Sequence, residues 1–203
     1  MKVIGLCGSS GAGKGYVSKI FEKYGIPCID LDRLYREKTT KKGTKCLEEL
    51  TNTFGKEILT PDGELDRTRL AGIVFEGDGA KERLNKLNKI THHYIKIDTE
   101  ELVADYKSQG KKAVIIDAPV LFESGFNKMC DLTISVVAPL EMKLERIVER
   151  DKISPEKALA RLNSQLSNEE LINLSTYYID NSNIELKAQI ENILIKEKII
   201  TKE

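Results

Sequence analysis

The feature that most constrains the fold of this chain is a glycine-rich segment, GSSGAGKG at residues 8–15, directly after the short apolar run KVIGLC. The apolar run predicts a buried strand over 2–7, and apolar residues at helical spacing predict a helix over 13–24. Glycines between a strand and a helix let successive backbone N–H groups face one concavity, where the helix N-terminus adds a partial positive charge. The segment therefore predicts a loop that binds phosphate.

The loop nearly matches the nucleotide-binding pattern G-x-x-x-x-G-K followed by Ser or Thr, with Gly15 in place of the hydroxyl residue. Lys14 would reach the β- and γ-phosphates of a nucleotide. Because the missing hydroxyl ligates Mg²⁺ in most such loops, phosphates, water and nearby carboxylates would have to hold the metal here. The loop residues predicted to bind the nucleotide are Gly8, Ser9, Ser10, Gly11, Ala12, Gly13, Lys14, Gly15 and Tyr16.

Other glycine motifs do not fit this segment. A dinucleotide fingerprint, G-x-G-x-x-G, that starts at Gly11 would need glycine where Tyr16 stands. A nucleophile elbow, G-x-S-x-G, that starts at Gly8 would need glycine where Ala12 stands. A flexible turn between strand and helix, with no ligand, is the remaining alternative to a phosphate site.

Short apolar runs alternate with helical patterns along the chain, which predicts an α/β fold with a parallel sheet covered by helices on both faces. Gly25 is a stop signal for the first helix, and Ser154-Pro155 and a capping box of Ser167 with Glu170 mark two later helix starts. Further strands are predicted over 26–29, 113–116, 132–137 and 177–179, and helical segments over 33–110, 139–174 and 184–198.

Three aspartates, Asp30, Asp32 and Asp117, follow predicted strands. Because ligands of parallel sheets bind at the carboxyl ends of the strands, we expect these carboxylates on the same edge of the sheet as the glycine loop. Asp117 stands where an acid that holds Mg²⁺ would stand, and Asp30 could bind the metal through water. Since Asp is also common in turns, a solvated turn is the alternative for Asp30 and Asp32.

Composition argues against several classes of function. The 203 residues include 32 basic and 32 acidic side chains, and this balance gives no broad attraction to nucleic acid. No apolar run approaches the ~20 residues of a membrane span. The four cysteines are widely spaced, without a C-x-x-C pair, which favours free thiols in a reducing compartment. We therefore expect a cytoplasmic protein, monomeric or weakly oligomeric, with no nucleic-acid or membrane partner.

Short motifs over most of the chain resemble, in their order and spacing, those of the dephospho-CoA kinase family. Each fragment alone is weak, whereas the common order is specific. Beyond the glycine loop, they are F-x-x-x-G at 21–25, IDLD at 29–32, FGKEIL at 54–59, DGELDR at 62–67, IVF at 73–75, L-x-x-I-x-H ending at His92, PVLFESG at 119–125, LERIVERD at 144–151, ARLNSQ at 160–165 and IDN at 179–181.

The resemblance implies transfer of the γ-phosphate of ATP to the 3′-hydroxyl of the dephospho-CoA ribose, with Mg²⁺ as cofactor. It implies a single P-loop kinase domain over residues 1–203, with a five-stranded parallel sheet flanked by helices. A helical CoA-binding insertion would cover about 33–110, and a lid about 140–175. The core would then comprise about 1–32, 111–139 and 176–203.

Family positions also imply roles for single residues. Asp32 matches the catalytic carboxylate, which would orient or deprotonate the ribose hydroxyl. Lys14 would stabilise the transferred phosphate. Arg146, Arg150 and Arg161 match basic positions of the lid, where their planar guanidinium groups would meet phosphate oxygens. The resemblance thus gives Arg146 a catalytic role, Arg150 a role in nucleotide binding and Arg161 a role in substrate binding.

The same arginines allow a plainer interpretation. Helical spacing puts Lys143, Arg146 and Arg150 on one face of a helix. Composition alone would favour a solvated surface for such a basic stripe.

Arg67 and His92 match family positions near the acceptor substrate. Arg67 could instead pair with Asp66 or Glu64, which are close in sequence. The adjacent pair of His92 and His93 is not expected to form a metal site, because adjacent residues on a helix point in different directions.

The chain departs from the family pattern at Gly15, at His93 in place of Pro, and at Thr176-Tyr177 in place of Ala-Asp. None of these changes removes Lys14 or Asp32. Two alternative functions therefore remain open at this point. One is another nucleoside or nucleotide kinase of the same fold, and the other is a nucleotide-binding regulator with impaired catalysis.

Overall fold

The computed structural model describes residues 1–182 and 185–201. Five strands within these residues form one sheet. Its strands are β1 (Lys2–Cys7), β2 (Cys28–Asp30), β3 (Ala113–Asp117), β4 (Leu132–Val137) and β5 (Tyr177–Asp180). The spatial order is β2-β3-β1-β4-β5, and β1 pairs in parallel with β3 and β4, as β4 does with β5. This arrangement confirms the predicted five-stranded parallel sheet.

The described residues also form nine α-helices. They are α1 (Lys14–Lys23), α2 (Leu31–Leu34), α3 (Lys45–Phe54), α4 (Arg67–Phe75), α5 (Ala80–Ser108), α6 (Leu140–Asp151), α7 (Pro155–Asn163), α8 (Asn168–Leu174) and α9 (Leu186–Lys196). The helix predicted over 184–198 is α9, and Ile184 lies outside the described residues. None of the described helices combines the length and apolar character needed to cross a membrane.

Local sequence explains several helix ends. Ser154 caps α7 by accepting from the N–H of Lys157, and Pro155 occupies the first helical position. Ser167 and Glu170 form the predicted capping box of α8. These caps stabilise the ends of two short helices whose order matters for the functional site.

The chain forms two compact units, residues 1–29 with 103–203, and residues 30–102. In the first unit every residue of β3 and β4 is buried, which requires cover on both faces of the sheet. Its core joins strand residues to α1 and α9, and includes Ile4, Leu6, Val17, Phe21, Ile115, Ile134, Val136, Ile179, Ile190 and Leu194. This packing fixes the position of the loop between β1 and α1.

The second unit is helical and has a core of its own, formed by Cys46, Leu47, Leu50, Phe54, Ile58, Leu65, Leu70, Val74 and Ile90. The predicted turn at 61–63 brings Leu59 opposite Leu65 in an isolated antiparallel bridge. A single π-helical turn, Tyr35–Thr39, follows α2. That this unit binds the acceptor substrate stays a prediction.

Candidate active site at the phosphate-binding loop

The glycine-rich loop joins β1 directly to α1. Gly11 and Gly13 have φ angles of 76° and 89°, a left-handed conformation that glycine adopts without strain. The backbone N–H groups of Gly13, Lys14 and Gly15 donate to no acceptor among the described residues, because they lie at the open start of α1. Three successive donors at a helix N-terminus are the arrangement that binds an anion.

Gly8 and Gly11 lie too close to neighbouring backbone atoms to carry a side chain, whereas Gly15 has open space beside it. A Cβ atom at Gly8 would lie 2.7 Å from the carbonyl oxygen of Val136. At Gly11 it would lie 2.9 Å from Cα of Lys143. No atom lies within 4 Å of a Cβ atom at Gly15, so the absent hydroxyl residue at this position has no steric cause.

Arg146 and Asn181, which are distant from the loop in sequence, donate hydrogen bonds to its carbonyl groups. Arg146 donates from Nη1 to the oxygen of Gly11 at 3.0 Å and from Nη2 to the oxygen of Asn181 at 3.4 Å. Asn181 in turn donates from Nδ2 to the oxygen of Ala12 at 2.8 Å. The carbonyl oxygens of Gly11 and Ala12 therefore face hydrogen-bond donors, which balance their partial negative charge.

Lys143 of α6 donates a hydrogen bond to a side chain of the loop. Lys143 is buried, and its Nζ donates to Oγ of Ser9 at 3.2 Å and to Oδ1 of Asn168 at 3.0 Å. Asn168 opens α8 and donates from Nδ2 to the carbonyl oxygen of Ala138 at 2.9 Å. Burial lowers the pKa of Lys143, because removal from water disfavours the charged form.

Gln165, between α7 and α8, binds the loop at a second point. Its Oε1 accepts a hydrogen bond of 2.9 Å from the backbone N–H of Ser10. The segment predicted as a lid therefore contacts the loop in this structure through Lys143, Arg146 and Gln165.

Lys14 and Asp117 form an ion pair between their Nζ and Oδ1 atoms. Asp117 is the last residue of β3 and is buried, with 5% of its surface exposed. The parallel register of β1 and β3 places Leu6 opposite Asp117, which brings this carboxylate to the start of the loop. The predicted neighbourhood of Asp117 and the loop is confirmed, whereas the role of Asp117 as a metal ligand stays a prediction.

Two predicted lid arginines share one carboxylate. Arg150 donates from Nε to Oδ1 of Asp151 at 2.7 Å and from Nη2 to Oδ2 at 2.9 Å. Arg161 of α7 also donates to Oδ2 of Asp151. The hydrogen bonds from Arg150 and Arg161 hold the pKa of this carboxyl well below its usual range.

Asp30, predicted to bind metal, and Asp32, predicted to act in catalysis, lie at the start of the second unit. Asp30 caps α2, since its Oδ1 accepts from the N–H of Arg33 at 2.9 Å. Asp32 lies in the first turn of α2 and is exposed, and no described residue forms a hydrogen bond or ion pair with its carboxylate. Its carboxylate can therefore accept a proton or a hydrogen bond from a substrate without first breaking a contact.

Arg67 does not pair with Asp66 or Glu64, so that alternative is wrong. It donates from Nη2 to Oγ1 of Thr40 at 3.0 Å and to the carbonyl oxygen of Arg36 at 3.2 Å. Asp66 instead caps α4, whose first residue is Arg67. The guanidinium group therefore lies on the π-helical turn after α2.

His92 lies on α5 and is half-buried, and burial lowers the pKa of its imidazole. The ring of His93 packs edge-on against Tyr94, with centroids 5.0 Å apart. No group of three or more potential metal-binding side chains of His, Cys, Asp or Glu occurs in the described residues.

The comparisons with known proteins identify the family. The family described as dephospho-CoA kinase matches residues 2–186 of this chain. The chain belongs to the dephospho-CoA kinase family. A dephospho-CoA kinase of Fusobacterium nucleatum subsp. nucleatum is 41% identical over 184 residues, which cover 90% of this chain and 91% of that protein. One from Listeria innocua serovar 6a is 38% identical over 199 residues, 98% of each chain.

A solved structure supports the same assignment. The dephospho-CoA kinase from Campylobacter jejuni superposes with a TM-score of 0.69 and 28% identity over 97% of both chains. The predicted P-loop kinase fold and kinase class are confirmed. The alternatives of a different kinase or an inactive regulator receive no support from these relatives.

Sequence reasoning missed four side chains that shape the site of this dephospho-CoA kinase family member. They are Lys143, Asp151, Gln165 and Asn181. The solvated surface suggested for the basic stripe is wrong for Lys143, which is 6% exposed. A signal was present, because Lys143 precedes the fully buried Ile147 by four residues and so shares its helix face. The other three lie within motifs that carried the resemblance but had no assigned role.

Proposed function

We propose that this chain transfers the γ-phosphate of ATP to the 3′-hydroxyl of the dephospho-CoA ribose, giving coenzyme A. The phosphate-binding loop carries this proposal, because a family member retains three unpaired backbone donors and Lys14 at the start of α1. Phosphoryl transfer depends mainly on positioning and charge neutralisation. The loop supplies both through groups that are already fixed by buried contacts.

When ATP binds, Lys14 would exchange the Asp117 carboxylate for the phosphates of the nucleotide. Its ammonium group now contacts Asp117, and the phosphates of ATP would compete for the same charge. Asp117 keeps Lys14 at the loop in the absence of nucleotide. Asp117 would stay beside the loop, where its carboxylate would help to hold a cation that accompanies the nucleotide.

The residues present fit Mg²⁺. Asp117 would be its protein ligand, directly or through water. A metal role for Asp30, the last residue of β2, stays a separate prediction. Gly15 provides no hydroxyl ligand, but Mg²⁺ commonly keeps several waters and uses one or two carboxylates with substrate phosphates. The ion, when bound, neutralises charge on the phosphate oxygens.

Asp32 would serve as the catalytic carboxylate. It is exposed, and its lack of a partner among the described residues suits a group that must accept the proton of the ribose hydroxyl. Arg67 and His92 of the same unit would contact the dephospho-CoA. The neutral imidazole that burial favours in His92 could accept or donate one hydrogen bond.

Arg146, Arg150 and Arg161 would act on the phosphates from the lid. Arg146 already contacts the loop, at the carbonyl oxygen of Gly11. Arg150 and Arg161 would replace Asp151 by phosphate oxygens, which offer the same paired acceptors to a guanidinium group. This exchange would exclude water from the reacting phosphate.

A reducing, cytoplasmic location agrees with Cys7, Cys46 and Cys130, which are free thiols. Burial raises the pKa of Cys7, Cys46 and Cys130 to about 12, so these thiols stay protonated. We further propose that the chain acts as a monomer or weak oligomer on small molecules alone.

A coupled assay tests the acceptor. Purified protein receives ATP and Mg²⁺ with dephospho-CoA, AMP, CMP or a nucleoside, and ADP release is followed by oxidation of NADH. We expect turnover with dephospho-CoA alone. Turnover with only a monophosphate or nucleoside would contradict the proposal, and ATP binding without any turnover would favour a regulator.

A second test addresses Asp32 separately from the loop. Asp32→Asn should lower kcat by about 10²–10⁴-fold, because a general base is lost. The Kd of ATP should not change, since the loop is intact. Asp62→Asn, at an exposed turn, is the matched control. Unchanged kcat in Asp32→Asn removes this residue from catalysis without affecting the proposed reaction.

A further inference from the structure

Lys143 differs from Lys14, the other lysine at the loop, because it is buried and no carboxylate of the described residues pairs with it. Its Nζ contacts two neutral oxygen atoms, those of Ser9 and Asn168. Among the described residues no carboxylate lies within ion-pair distance of it, whereas Lys14 is paired with Asp117. The first unit therefore holds one buried ammonium group whose charge is not balanced locally.

Burial of an unpaired charge destabilises a fold, and a neutral side chain of similar size would avoid this cost. The stability of the folded chain therefore does not explain why a lysine occupies this position, and a bound ligand would. An anion that binds nearby would supply the missing counter-charge. The loop is the place where this chain presents unpaired N–H donors to an anion, at Gly13, Lys14 and Gly15.

The contact between α6 and the loop is direct. Gly11 lies against the backbone of Lys143, so closely that a Cβ atom would come within 2.9 Å of Cα of Lys143. Ser9 is itself buried, and its hydroxyl accepts from Lys143. Because Lys143 and Ser9 are both buried, the field of the ammonium group is weakly screened at the loop.

We propose that Lys143 is a positioning residue of the phosphate site, which holds Ser9 and adds an unbalanced positive charge that strengthens binding of nucleotide di- and triphosphates. The proposal rests on the nucleotide site proposed above. It assigns the charge of this site to two lysines, Lys14 of the loop and Lys143 of α6. Of these two, Lys143 makes no ion pair with a carboxylate of the described residues, whereas Lys14 pairs with Asp117.

Binding of ATP, ADP and AMP distinguishes a charge effect from a structural one. Isothermal titration calorimetry is performed in EDTA at fixed ionic strength, so that metal does not contribute. Lys143→Gln removes the charge and keeps an amide donor for Ser9, and Lys143→Met removes both. Lys157→Gln is the matched control, because Lys157 is exposed on α7.

We expect both neutral variants to bind ATP and ADP about tenfold more weakly than the original chain, which corresponds to about 1.4 kcal/mol. AMP, which lacks the β- and γ-phosphates, should lose less than about twofold. Lys157→Gln should match the original chain throughout. Lys143→Gln should melt, without nucleotide, at or above the temperature of the original chain, because a buried charge has been removed.

Three results would overturn the proposal. They are unchanged ATP affinity in both neutral variants, equal losses for ATP, ADP and AMP, and a loss in Lys143→Met alone, which would assign the effect to hydrogen bonding. If a variant melts too low to be studied, the other provides the same comparison of ATP with AMP. If the original chain does not bind ATP, the proposed function fails first, which separates that outcome from the other three.

Discussion

The loop and the arginine pair of Arg150 and Arg161 are both candidates to bind phosphate, but they are held in different ways. The loop is held by hydrogen bonds from Lys143 and Asn181, and Gly8 and Gly11 pack closely against neighbouring backbone atoms. The arginines are half-exposed or exposed, and a single carboxylate, Asp151, holds both. A preformed site and an exchangeable site therefore lie in one unit.

This difference indicates how binding energy is used. A preformed loop loses little conformational entropy when a nucleotide arrives, which favours affinity. Exposed ion pairs contribute little to stability, so their exchange for phosphate has a low cost. The loop should consequently decide whether a nucleotide binds, and the arginines whether the bound nucleotide reacts. Four substitutions test this division.

The largest effect is expected from Lys14→Ala. Loss of a charge aimed at the transferred phosphate should reduce kcat/KM for ATP by about 10²–10³-fold, or about 3–4 kcal/mol. Steady-state kinetics measures it, with the exposed Lys19→Ala on the same helix as control. A loss below about threefold would show that the loop does not decide nucleotide use.

Gly11→Ala should break the preformed state itself. The positive φ angle and the contact with Lys143 predict a fall of about 3 kcal/mol in the free energy of unfolding, from backbone strain and overpacking. Chemical denaturation measures the fall. Gly15→Ala is the matched control, because a Cβ atom there meets nothing within 4 Å. Equal stability of the two variants would contradict a tightly packed loop.

Arg161→Ala should act on the reaction and leave the fold intact. We expect kcat to fall about tenfold through loss of charge-assisted hydrogen bonds to phosphate. The Kd of ATP and the melting temperature should stay close to those of the original chain. A fall in melting temperature as large as that of Gly11→Ala would mean that the arginine pair is as structural as the loop.

Asp151→Asn should have the smallest effect, and its pH dependence has a definite sign. Because Arg150 and Arg161 lower the pKa of Asp151 in the folded state, the carboxylate stabilises the fold above the unfolded pKa of about 4 and loses this contribution as pH falls. Thermal unfolding from pH 7 to pH 3 should show a small advantage of the original chain that shrinks toward acid pH. An advantage that grows toward acid pH would contradict the ion pairs.

Much of the fold followed from local sequence. Runs such as AVIID and LTISVV are almost wholly apolar, and only a strand buried on both faces accounts for them. The caps at Ser154 and Ser167 were predictable because their hydrogen bonds lie within three residues. The loop was predictable for the same reason, since its donors are consecutive.

The contacts of the side chains that hold the loop could not be predicted from local sequence. Lys143, Gln165 and Asn181 reach residues 134, 155 and 169 positions away in the chain, so no local pattern reports their contacts. Burial of Lys143 also overrides the usual preference of lysine for solvent. Helical spacing could indicate that Lys143 is buried, but the partners of these side chains become visible only when tertiary packing is known.

The open space at Gly15 offers an attachment point for a spectroscopic reporter. A cysteine introduced there would be exposed and free of clashes. Three native thiols, those of Cys7, Cys46 and Cys130, would react slowly with a maleimide, because their pKa values lie near 12 and the thiolate is the reactive form. A fluorophore at position 15 would then report nucleotide arrival and departure beside the loop in real time.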